Sequence, residues 1–158
     1  MVSIQSVLTA CACLISSFNL QAQSVEKNGN SLKPRLNHIA LHVTNLSQST
    51  RFYQQFVGLD TIPEPFHDGR HTWFSIGGGA QLHIIQSATK PVIPLKQTHI
   101  CFSVASVSDF VELLKKNNIG WEDWPGTKSA ITTRPDGVKQ IYFQDPDGYW
   151  IEVNDGGK

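Results

Sequence analysis

The chain has 158 residues, with 13 basic and 13 acidic side chains and a formal net charge of zero. That length suits one domain with a hydrophobic core of its own. The charge balance argues against nucleic acid or an anionic membrane as a partner, since both need a clustered basic face.

Residues 1–23 contain no Lys, Arg, Asp or Glu, and residues 7–20 are mostly apolar or small. With Ala22 suited to the position before a cut, residues 1–22 read as a secretory signal peptide, and the mature chain is expected in the periplasm or outside the cell, off the membrane once the signal is removed. Leu8-Thr9-Ala10-Cys11 resembles a lipoprotein cleavage box, but it comes early and no basic residue precedes it. Residues 23–35 are polar and read as a linker, closed by Pro34. Cys11 and Cys13 fall in the signal, which leaves Cys101 and no internal disulfide in the mature fold.

Residues 36–154 carry an internal repeat. His38-Ile39-Ala40-Leu41-His42-Val43 matches His99-Ile100-Cys101-Phe102-Ser103-Val104, 61 positions on. Alternation predicts a strand in each, and helix-like apolar spacing follows over residues 46–57 and 107–117. Ser47 and either Ser106 or Ser108 fit N-caps, and Gly58 and Gly120 fit helix stops. Each half then closes with a hairpin, 72–76 with 81–85 and 140–143 with 149–153, around Gly77-Gly78-Gly79 and Asp145-Pro146-Asp147-Gly148. Short strands are expected near residues 59–62 and 119–124. The closing segments align at a spacing of 69, which puts eight extra residues in the second half around 124–135. The predicted fold is α+β: two βαβββ modules forming a curved mixed sheet around a metal-binding groove.

Strand side chains alternate between faces. Ile39, Leu41 and Val43 share one face, as do Ile100, Phe102 and Val104, and these faces should pack on the helices. His38, His83, His99 and Glu152 leave the opposite face. Imidazoles and a carboxylate facing one groove suit a divalent zinc, iron, manganese, nickel or cobalt ion. His42 shares that face but lies about 13 Å along the strand from His38, too far to share an ion, and is a candidate for substrate contact. His67 and His71, flanking Asp68-Gly69-Arg70, read as solvated loop residues. The segment 145–148 reads as turn chemistry.

Asn37-His38-Ile39-Ala40-Leu41-His42-Val43, Phe52-Tyr53, Gly58-Leu59, Thr98-His99-Ile100 and the closing run from Tyr142 through Asp145-Pro146-Asp147-Gly148 to Glu152-Val153 resemble the vicinal oxygen chelate superfamily of glyoxalase I, bleomycin-resistance proteins and extradiol dioxygenases. The resemblance spans about residues 36–154. It implies a metal held by His38, His83, His99 and Glu152, with His38, His99 and Glu152 as the common three-ligand set. His83 stands where glyoxalase I is expected to carry a Glu, so a two-base isomerase mechanism lacks one base. The resemblance further implies a homodimer, a small-molecule substrate with vicinal oxygens, and Glu152 as proton acceptor as well as ligand. Trp73, Trp150 and Phe74 are candidates to line the groove. The function expected is a metal-dependent lyase, isomerase or dioxygenase. The alternative is a non-catalytic, antibiotic-type binding protein of the same fold.

Overall fold

The computed structural model describes residues 33–87, 89–90 and 95–157. The expected signal peptide, residues 1–22, and most of the expected linker, residues 23–35, lie outside them. The compact unit begins at Arg35. Among the described residues no helix is long and apolar enough to cross a membrane.

The first module runs β1 (His38–Val43), α1 (Leu46–Phe52), β2 (Thr61–Ile62), β3 (His71–Ser75) and β4 (Gln81–Gln86). The second runs β5 (His99–Ser103), α2 (Val107–Lys116), β6 (Thr132–Thr133), β7 (Lys139–Gln144) and β8 (Trp150–Asn154). Each makes a four-stranded mixed sheet, ordered β1-β4-β3-β2 and β5-β8-β7-β6. The outer pair is parallel in both, β1 with β4 and β5 with β8. The hairpins β3–β4 and β7–β8 are antiparallel. This is the predicted pair of modules.

Local signals explain most boundaries, with some corrections. Asn45, not Ser47, caps α1, its side chain accepting from Gln48 N at 3.0 Å. Ser106 caps α2 as expected. The first helix continues as a π-helical turn over Tyr53–Val57 and stops at Gly58, whose φ of 78° is the left-handed value that glycine adopts without strain. The second helix stops at Asn117 and left-handed Asn118, before Gly120. The strand expected over 119–124 reduces to Glu122, which exchanges backbone bonds with Tyr142 before the chain turns away at Gly126. The outermost strand is instead β6, inside the eight-residue insertion.

One apolar cluster joins the modules. Leu82, Ile84, Ile151 and Val153 are fully buried from the closing strands, and Tyr53 packs on Phe74 at 5.9 Å. Phe143 meets both Phe52 of α1 and Phe110 of α2. Phe74 is therefore core and not groove lining. The helices and apolar sheet faces share the interior, which leaves the His-bearing faces of the two sheets turned outward. The turn at 145–148 adds a polar tie. Buried Asp145 accepts from the Tyr53 hydroxyl at 2.9 Å and from the backbone of Asp147 and Tyr149. Asp147 accepts from Thr44 N, Thr44 Oγ1 and Ser49 Oγ. These bonds span about a hundred residues and fix β1 and α1 to the β7–β8 turn, a role that turn chemistry alone does not suggest.

Candidate metal centre

On the outer face of the second sheet, β5 and β8 bring His99 and Glu152 together. His99 Nδ1 donates to the Lys96 carbonyl at 2.8 Å, and its Nε2 lies 3.1 Å from Glu152 Oε2. Pinning one ring nitrogen to a carbonyl orients the other toward a ligand, the usual outer support of a metal-binding His. Two ligands at about 2.0–2.1 Å from one ion stand roughly 3 Å apart when cis, so this pair has the spacing of neighbouring ligands.

Glu152 is only 6% exposed, so it stays ionised only if its partners outweigh burial. They do. The Tyr142 hydroxyl donates to Oε2 at 2.5 Å, Asn154 Nδ2 to Oε1 at 2.9 Å, and the Cys101 thiol to Oε1 at 3.4 Å. Burial pushes the carboxyl up, but these bonds and the charge of His99 pull it down further, and the net position is below the ordinary carboxylate range. The same surroundings push the Cys101 thiol up to about 12, by burial and by the Glu152 charge, so it is held protonated as a donor.

The first sheet carries a different arrangement. Trp73, His83 and His38 stack as a ladder, Trp73 on His83 at 3.8 Å and 4°, His83 on His38 at 4.4 Å and 7°. His38 Nδ1 donates to Asn37 Oδ1 at 2.7 Å, which presents Nε2. His83 Nε2 donates to Gln81 Oε1 at 2.7 Å. Burial, then the nearby charge of His38, lowers the His83 pKa and favours the neutral ring. A metal sits in the plane of each imidazole that binds it. Two parallel stacked rings share no such point, so in this geometry His38 and His83 do not serve one ion together.

The structure thus pairs His99 with Glu152 and His38 with His83, on the outer faces of two sheets with the helical core between them. Among the described residues no three His, Cys, Asp or Glu side chains gather as a metal site within the chain. The single groove expected from the repeat is not closed within one chain. A cavity of about 560 Å³ opens on the first sheet alone, lined by His38, Trp73 and His83, and also by Phe66, His71 and Gln81. His42 is exposed outside that lining, its carbonyl accepting from the Tyr149 hydroxyl. Trp150 lies on the second sheet, with Lys96 Nζ 5.0 Å above its ring.

Several site residues were missed. Tyr142 and Asn154 support Glu152, and both lie on its face by alternation, which could have flagged them. Lys96 holds His99 through its carbonyl while its ammonium pairs with buried Glu122, which also pairs with Lys128. Both lysines pull the Glu122 carboxyl below its ordinary range. His71 opens β3 and enters the cavity, so it is no solvated loop residue, whereas His67 is.

Two βαβββ modules with ligand-type residues at repeated positions define the class. Residues 35–153 match the Glyoxalase/Bleomycin resistance protein/Dioxygenase superfamily, and the chain belongs to it. The metallothiol transferase FosB of Shouchella clausii (strain KSM-K16) is 29% identical to it over 123 residues, 77% of this chain and 80% of that protein. In fold, it is similar to the fosfomycin resistance protein FosX of Listeria monocytogenes, with a TM-score of 0.62 at 23% identity over 78% of this chain and 93% of that one. It is likewise similar to lactoylglutathione lyase of Agrobacterium tumefaciens, with a TM-score of 0.59 at 21% identity over 79% and 96%.

Proposed function

We propose that the protein is a metal-dependent enzyme acting on a small substrate with two adjacent oxygens, and that its site is completed between two copies of the chain. The observation that carries this is the His99–Glu152 pair, with one imidazole nitrogen pinned, the other 3.1 Å from the carboxylate, and the carboxylate held ionised by three donors. His38, with its Nε2 presented from the first sheet, is the third ligand in this reading. The outward faces favour a homodimer in which the first sheet of one copy meets the second sheet of the other.

A bound divalent ion would supply Lewis acidity to the substrate oxygens. The protein's own groups hold that site. Lys96 and Asn37 orient the imidazoles, and Tyr142, Asn154 and Cys101 keep Glu152 anionic. Those donors make Glu152 a better ligand than proton acceptor, so in this reading its base role lapses. His83, stacked and neutral, offers no carboxylate for a two-base isomerisation. That favours the chemistry named for the metallothiol transferase, transfer of a thiol, over that named for lactoylglutathione lyase. We propose export as well, on the uncharged first 23 residues and Ala22.

The test is elemental analysis of protein purified without a metal-affinity tag, followed by thiol transfer to fosfomycin with manganese, zinc, nickel, cobalt and iron in turn. The expected result is metal near one per chain and turnover of roughly 1 to 1,000 per second with one of them. Isomerisation of the glutathione–methylglyoxal hemithioacetal should be weak or absent, and His83→Glu should raise it. Metal-free protein that binds fosfomycin without turnover would establish the antibiotic-binding alternative. A wild-type isomerase rate in the normal enzyme range would restore the lyase reading.

A further inference from the structure

In the proposed site Glu152 is committed as a ligand and His83 is stacked and hydrogen-bonded, which leaves no proton acceptor. The cavity on the first sheet contains one. His71 opens β3, its side chain 12% exposed, and its ring packs on Phe66 with centroids 4.8 Å apart. Its Nδ1 donates to Asp68 Oδ1 at 2.8 Å. Asp68 is itself fixed, since Oδ1 also accepts from the Arg70 backbone at 3.0 Å and Oδ2 accepts from Arg70 Nε and Nη2 at 3.1 and 2.9 Å. The Arg70 backbone bond, the His71 bond and the Arg70 guanidinium hold Asp68 well below the usual carboxylate range. An ionised Asp accepting from Nδ1–H sets the tautomer and puts the lone pair on Nε2. Nε2 has no hydrogen-bond partner among the described residues.

The sheet register places His71 within the cavity, with Asp68 behind it. His38 stands opposite Gln81, while Trp73 faces His83 and His71 faces Ile85. The cavity therefore runs from His38 past the His83–Trp73 stack to His71. Its ends are separated by four residues of β4, about 13 Å along the strand before side chains reach inward. Such a span suits a reaction of two molecules, with the electrophile at the His38 end and the nucleophile between it and His71.

We propose that His71, oriented by Asp68, is the proton acceptor for the nucleophile. His71 Nε2 takes the S–H proton of a thiol while the sulfur electron pair forms the new C–S bond. The epoxide C–O bond of fosfomycin breaks, its electrons stay on oxygen, that oxygen takes a proton from solvent water to become a hydroxyl, and His71 returns its proton to solvent, so nothing is oxidised or reduced. Asp68 is a positioning residue in this scheme.

This role rests on the enzymatic reading, and the experiment separates the two. Thiol transfer to fosfomycin and metal content are measured for wild type, His71→Gln, Asp68→Asn, Asp68→Glu and His67→Gln. Long-range 15N correlation spectra of the imidazoles are recorded on wild type and Asp68→Asn. The expected result for His71→Gln is a fall in kcat of about 10²- to 10⁴-fold with KM and metal content unchanged. Asp68→Asn should fall less, Asp68→Glu should recover most of the loss, and His67→Gln should match wild type. The wild-type His71 signal should show a proton on Nδ1, and Asp68→Asn should mix the tautomers. A His71→Gln rate within about threefold of wild type removes the role of His71 alone. So does a wild-type signal with the proton on Nε2, which decides the matter even if His71→Gln fails to fold. No wild-type turnover with any of the metals removes the enzymatic reading and this role together.

Discussion

A site shared between two copies makes a quantitative prediction by complementation. One chain carries His38→Ala, so its first sheet lacks a ligand. The other carries Glu152→Ala, so its second sheet lacks one. Each variant alone forms dimers in which both sites have lost one of three ligands. In a mixed dimer the two lesions fall together in one site and the other site is intact. Random re-pairing of equal amounts makes about half of the dimers mixed, so about a quarter of all sites is restored. The variants are mixed, re-paired through mild denaturation and dialysis, and checked for mixed dimers by native mass spectrometry. Metal stoichiometry and thiol transfer should each return to about a quarter of the wild-type value. If the three ligands met within one chain, every chain in the mixture would be damaged and recovery would stay at zero. Zero recovery with mixed dimers present refutes the shared site, and so does a protein that remains monomeric with full metal content.

Tyr142→Phe keeps the ring and removes the hydroxyl from Glu152, which should cost about 1.5–3 kcal/mol at pH 7. Glu152 lies below its ordinary 4.5 in the fold, so its contribution is present above that value and lost as pH falls through the folded one. In metal-stripped protein the gap between variant and wild type in urea unfolding should therefore narrow as pH falls below the ordinary carboxylate range; an unchanged gap would assign the effect to packing. Asp145→Ala strands the buried Tyr53 hydroxyl and two backbone N–H groups, and should lower stability by about 3–5 kcal/mol. A loss under about 1 kcal/mol would show that the tie between the modules is idle. His99→Ala should lower metal occupancy strongly and His42→Ala should leave it nearly unchanged, as read by elemental analysis; equal losses would mean the face is misassigned. N-terminal sequencing of native protein should begin near Gln23, and a full-length chain confined to the cytoplasm would overturn export.

Strand alternation made the two modules and the face of each candidate ligand legible, because a period of two leaves no choice of side once the apolar set is buried. Contacts made at long range were not legible. The π turn at Tyr53–Val57 belongs to a residue whose hydroxyl reaches Asp145, far along the chain. The strand over 119–124 failed because only Glu122 finds a backbone partner, while left-handed Asn118 and Gly126 bend the chain on either side. Asn45 and Ser47 are both good caps by type, and the choice depends on where β1 releases the chain. His67 and His71 were equivalent in sequence, and only the start of β3 separates the exposed ring from the one in the cavity. Equivalent positions also implied convergence of four ligands, but alternation says which face a residue takes and nothing about which faces meet.

The repeat shows how its halves build different surroundings from one template. Register places Trp73 opposite His83 and Tyr142 opposite Glu152, so the two pairs are counterparts. Ala40 opposite His83 corresponds to Cys101 opposite Glu152. Two residues beyond His83 stands Ile85, and two beyond Glu152 stands Asn154. In the second sheet each counterpart is a donor, a hydroxyl, a thiol and an amide, and together they hold a buried carboxylate ionised. In the first sheet the same three places hold an indole face, a methyl group and an apolar branch. None of these donates to His83, and a buried imidazole among them is best neutral and stacked. An anionic ligand on one sheet and an aromatic wall beside a presented imidazole on the other complement each other only when the two faces are opposed. Within one chain the helical core holds those faces apart. The divergence of the modules therefore fits the proposed site built between two copies, with the charge on one wall and the cavity in the other.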